Sequence, residues 1–181
     1  MEMESLTIIG EILKYLAPAA IVLLAVKFMS DTGVERERVT QNLMIRNEIL
    51  KQHLPLKITA YERATLFLER ISPENLLPRL NGSGKTVSEF RMELIQEIRE
   101  EFEHNMAQQI YISNPGWMSL IRAKEEILNV INEAARELDE DEEGIYLAKR
   151  IIEKMMAMEE LPAQRAIIIL KNDLQPFFKI S

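Results

Sequence analysis

Ile8–Met29 reads IIGEILKYLAPAAIVLLAVKFM, and within it Tyr15–Val26 (YLAPAAIVLLAV) runs for twelve residues without a charge. Coiled as a helix, the 22 residues from 8 to 29 extend about 33 Å, close to the roughly 30 Å hydrocarbon core of a bilayer. Lys14 and Lys27 flank the run. There their aliphatic stems can lie in lipid while the ammonium groups reach the headgroups. Pro18 is compatible with a span, because neighbouring groups can satisfy the carbonyl it frees. Glu11 is the costly residue and must sit at the outer headgroup level. A cleaved signal peptide needs a basic start, whereas Glu2 and Glu4 are the only charges before Glu11 and Lys14. The competing assignments are a helix buried in the core of a soluble protein and an interfacial helix. The expectation is a transmembrane helix over 8–29, preceded by a short extracytoplasmic tail, 1–7. Lys14 alone precedes the run, while Lys27, Arg36, Arg38 and Arg46 lie at its end or beyond. The positive-inside rule then leaves the N-terminus outside and the body in the cytoplasm.

The rest of the chain reads as helical. No alternation of apolar and polar residues is longer than Gln109–Ser113 (QIYIS), which argues against a sheet. A charged juxtamembrane helix is expected over 30–54, stopped at Pro55, because the residue before a proline is biased away from helix. A helix over 56–71, a proline-started turn after Ser72 and the loop Asn81-Gly82-Ser83-Gly84 follow. Thr86 and Glu89 have the spacing of a capping box. Behind them Val87, Phe90, Leu94, Ile98, Phe102 and Met106 make a period-3.6 stripe. Asn114-Pro115 opens another helix, and Gly144–Met158 and Pro162–Leu174 supply two more. The fold class is thus all-α: a membrane helix, a juxtamembrane helix and a compact bundle of about five helices over 55–181.

Composition narrows the chemistry. With 181 residues, no cysteine and a net charge of -7, the chain offers no disulfide, thiolate metal site or cysteine nucleophile, and no basic stripe for nucleic acid. Residues 31–80 carry eight basic and seven acidic side chains; residues 81–181 carry twelve and nineteen. The near-neutral part therefore adjoins the membrane, whose cytoplasmic face is anionic.

Three motifs imitate known sites. Gly82-Ser83-Gly84-Lys85-Thr86 resembles the end of a phosphate loop, but Arg79 stands where the first glycine is required. Asp139, Asp141, Glu143 and Gly144 mimic the start of a calcium loop, but Arg150 replaces the closing glutamate, leaving a solvated acidic hinge. Glu101 and His104, with Glu97 one turn earlier, form half of a di-metal carboxylate site. No catalytic, cofactor or metal residue is assigned. The alternative activity is a hydrolytic or metal-dependent enzyme using Glu97, Glu101 and His104.

Two polar clusters remain. In YERATLFLER, Tyr61 is followed by Glu62/Glu69 and Arg63/Arg70, each pair seven residues apart and so on one face. In EFEHNMAQQIY, Glu101, His104 and Gln108 share a face, with Asn105 beside them. Should the faces meet, their carboxylates, guanidinium groups, imidazole and amides can form one network. At these clusters, and at Trp117, the chain resembles an uncharacterised bacterial family of short proteins with one N-terminal membrane helix and a helical cytosolic body. The resemblance implies a bacterial inner-membrane anchor and this helical arrangement, and no activity. The expected role is interaction or scaffolding: contact with the bilayer through 8–29, and with a protein partner or a second copy through the body.

Overall fold

The computed structural model describes residues 2–178, with the side chains of the first helix described at 14–28, 41, 44, 45, 48, 49 and from 51 onward. Described residues are all-helical: α1 Glu2–Ile71, α2 Pro73–Leu80, α3 Val87–Asn105, a 3-10 helix Met106–Ile110, α4 Asn114–Arg136, α5 Gly144–Met156 and α6 Pro162–Phe178. The chain divides into two compact units, Met1–His53 and Leu54–Ser181.

In the first unit the described side chains from Lys14 to Phe28 are all exposed. Ile21, Val22, Leu23 and Leu24 are 66%, 60%, 70% and 68% exposed. Successive helical residues stand 100° apart, so these four present apolar surface in every direction around the axis. Among the described residues, no helix is long and apolar enough to cross a membrane. Expectations for the side chains of 1–13 and 29–40 lie outside the described residues.

Pro55 does not end a helix, contrary to expectation, because α1 continues through it to Ile71. Proline removes one backbone donor and leaves the carbonyl of the residue four earlier without it. That residue, Lys51, is exposed, so water can satisfy the carbonyl. The helices expected over 30–54 and 56–71 are consequently one element.

In the second unit the last three turns of α1 bury Ala60, Tyr61, Ala64, Phe67, Leu68 and Ile71. Their spacing of three and four residues keeps one face inward. They join Leu76, Phe90, Leu94, Ile98, Leu120, Ile127, Ile131, Leu147, Ile151 and Leu170 in a single core. Phe102 packs between Phe67 (ring centroids 5.8 Å) and Trp117 (5.6 Å), which holds α1, α3 and α4 together. Met106, expected at the end of the α3 stripe, is exposed because α3 gives way to the 3-10 helix there.

Capping follows the sequence at α3: Thr86 accepts from Glu89 N at 3.2 Å, and Glu89 accepts from Thr86 N at 2.9 Å. At α4 the cap is Ser113, one residue before the expected start, accepting from Gly116 N at 3.0 Å. Ser72 occupies the cap position of α2 without a side-chain cap bond.

The loops before α3 and α5 pair with each other. Val87 N donates to Glu142 O (2.8 Å), Gly144 N to Lys85 O (2.8 Å), and Thr86 and Glu143 form an antiparallel bridge. The acidic run 139–143 is therefore not a free hinge but is pinned by its backbone. Close approach demands glycine: a Cβ on Gly144 would stand 2.8 Å from Gly82 O, and one on Gly82 would stand 2.8 Å from Gly144 C. Gly84 is different, since open space surrounds it and only its φ of +76° favours glycine.

Two substitutions separate those causes. Gly144→Ala, which forces backbone against backbone, is expected to lower stability by about 1–3 kcal/mol. Gly84→Ala is expected to cost about 1 kcal/mol through its left-handed conformation alone. Denaturant unfolding of the full chain in mild detergent measures both, and a Gly144→Ala loss smaller than that of Gly84→Ala would contradict the assignment.

Candidate functional site

Leu66 projects from the outer face of α1 and is 57% exposed. It forms a ridge between two grooves. On one side Arg63, Phe67 and Arg70 of α1 face Glu101, His104 and Asn105 at the end of α3 across a cavity of about 470 Å³. On the other, Tyr61, Glu62, Thr65 and Glu69 face Leu170, Lys171 and Leu174 of α6 across about 370 Å³. The seven-residue spacing thus does what the sequence indicates, placing each like pair on one face. It does not build a single network: the arginines line the α3 side, the glutamates the α6 side, and Gln108 lines neither groove.

In the α1–α3 groove, Arg70 pairs with Glu101 at 3.0 Å. Asn105, almost fully buried, donates to Glu101 O at 2.7 Å. The His104 Nδ1 lies 2.7 Å from Glu100 O, and because a carbonyl oxygen only accepts, the ring donates through Nδ1. Arg63 has no hydrogen-bond or ion-pair partner among the described residues. Glu97 is bound to Arg79 instead of turning toward His104. All three residues of the hydrolytic alternative are thus engaged by a neighbour. No group of three or more His, Asp or Glu able to hold a metal ion stands among the described residues. Lys85 of the phosphate-loop imitation is likewise occupied, donating to Leu80 O at 2.8 Å and pairing with Glu93.

A half-buried polar node escapes sequence reasoning. Tyr61 Oη donates to Asp173 Oδ2 at 3.3 Å and accepts from Ser113 N at 3.0 Å, while Ser113 Oγ donates to Asp173. Three elements, α1, the α4 cap and α6, meet at one hydroxyl. Burial pushes the Tyr61 phenol above its ordinary value, outweighing the Ser113 hydrogen bonds that would lower it. A Cβ on Gly116 would stand 2.7 Å from Asp173 Oδ2, so this glycine makes room for the carboxylate. The local signals were a cap serine and the only acidic residue of α6; their joining across 60 residues was not legible.

A family model described as a family of unknown function (DUF7935) matches residues 7–177, and the chain belongs to that family. No curated protein and no solved structure matches it.

Tyr61→Phe should leave the Ser113 N–H without its acceptor and cost about 1–3 kcal/mol. The wild type should also lose stability as pH rises above about 10, because the unfolded phenol ionises before the folded one and the unfolded state then binds fewer protons. Unfolding free energies of both proteins across that range test this; an unchanged difference between them would contradict a raised Tyr61.

Proposed function

We propose that this protein is a membrane-anchored helical domain that works by binding a protein partner, or a second copy of itself, at the bilayer surface. The carrying observation is the exposure of apolar side chains on every side of the helix from Tyr15 to Val26. Another helix or a groove would cover one face of such a cylinder. Lipid covers all of it and needs no complementary shape. The described segment, 14–28, is short for a span by itself, and the apolar residues Ile8, Ile9, Ile12, Leu13 and Met29 extend it in the sequence to the required length.

The basic residues after the segment favour a body in the cytoplasm of a bacterial cell, with the N-terminus across the inner membrane. Binding is favoured over hydrolysis because Glu97, Glu101 and His104 are each held by a neighbouring group, whereas the groove wall leaves Arg63 and part of Arg70 open. Confinement to a surface would raise the effective concentration of the body near any partner held in the same membrane.

Single cysteines introduced as Ser5→Cys or Ser83→Cys are unambiguous labels, since the chain has no other. An impermeant thiol reagent applied to intact cells should modify the Ser5 variant and spare the Ser83 variant, and carbonate washing should leave both in the membrane pellet. Labelling of Ser83→Cys from outside would reverse the orientation. Release of the chain by carbonate would remove the anchor.

A further inference from the structure

We propose that the α1–α3 groove of one molecule receives the acidic run Asp139–Glu143 of a second copy, joining chains head to tail. The body of the protein is acidic, with nineteen acidic against twelve basic residues over 81–181. In that setting the groove sets two arginines against one glutamate, as do the clefts lined by Arg91 and Arg136 and by Arg122 and Arg165, and it differs from them in its exposed leucine wall. Arg63 is unpaired among the described residues, Arg70 spends one nitrogen on Glu101, and the groove's single carboxylate is the one already taken. Leu66 and Phe67 give it an apolar wall.

The matching features stand together elsewhere on the same chain. Asp139, Glu140, Asp141, Glu142 and Glu143 are consecutive, and none of their carboxylates has a hydrogen-bond or ion-pair partner among the described residues. Ile145 and Tyr146 follow at once and are 47% and 54% exposed. Carboxylates would meet the arginines, which hold such groups through paired N–H donors. The adjoining apolar residues would cover Leu66.

The run cannot reach the groove of its own chain. Its backbone is bonded to the first turn of α3, through Val87 and Ser88, whereas the groove uses Glu101, His104 and Asn105 in the last. With a rise of 1.5 Å per residue, about 20 Å of helix separates them. Docking must therefore be intermolecular, and because two different patches meet, the contact is heterologous and open-ended. This inference names a partner for the binding role proposed above. Its contacts lie wholly in residues 54–181, so assembly in detergent and anchoring in membranes are tested separately.

Sedimentation of the full chain in mild detergent over a concentration series tests it. The wild type should form oligomers of increasing size that dissociate with added salt, since exposed charge pairs are screened. Arg63→Glu, with its groove reversed, and the double variant Asp139→Lys/Asp141→Lys, with its run reversed, should each self-associate about tenfold more weakly or worse. An equimolar mixture of the two retains one intact groove and one intact run and sets the reversed groove against the reversed run, so it should regain the association that each variant lacks alone. A wild type that stays monomeric overturns the proposal. So does assembly that survives both variants and high salt, because that points to the apolar segment as its source.

Discussion

Tyr61 carries two obligations that the rest of the bundle has to meet together. Its ring is buried among the core residues of α1, and its hydroxyl, once out of water, needs partners inside the protein. Ser113 N supplies one and Asp173 the other. To bring them there, the cap of α4 and the last turns of α6 have to converge on the end of α1. Positions of α4 and α6 are therefore set by directional hydrogen bonds as well as by apolar burial. Gly116 belongs to the same constraint, because any side chain at that position would collide with the carboxylate.

A second constraint acts at the opposite end of α3. Loops 81–86 and 139–143 share backbone hydrogen bonds across the contact of Gly82 with Gly144. Both helix starts, α3 and α5, are thereby held in one place. Pinning the backbone of the acidic run fixes its place while its carboxylates stay without hydrogen-bond or ion-pair partners among the described residues, four of the five residues being exposed and Glu142 half-buried. Meanwhile the Phe67–Phe102–Trp117 stack holds the far end of α3 against α1 and α4, with Lys124 4.2 Å above the Phe102 ring. Groove and acidic run are consequently two rigid features at the two ends of a single helix, a geometry that suits assembly between molecules.

The outer face of α1 shows how charge can be sorted by helix geometry alone. Glu62 and Glu69 differ from Arg63 and Arg70 by one residue, or 100° of rotation. Leu66 stands between the two pairs, so the acidic pair faces α6 and the basic pair faces α3. Neither groove owes its character to a rare residue. Each results from a seven-residue repeat laid beside a different neighbour.

Much of the local structure was written in the chain itself. The all-helical class, the Thr86–Glu89 capping box, the buried stripe from Val87 to Ile98 and the like-charged faces at 61–70 depend only on residue spacing and on nearby backbone groups. Each of those rules acts over a few residues, which is why they could be read directly. Pro55 misled because the cost of a proline depends on whether water reaches the freed carbonyl, and exposure is a property of the folded chain. What only the tertiary structure decided is which faces meet. Tyr61 finds Asp173 across 112 residues, Gly82 finds Gly144 across 62, and Arg63 and Glu62 come to line different grooves. Periodicity states that a face will be covered; the packing of all the helices at once selects what covers it.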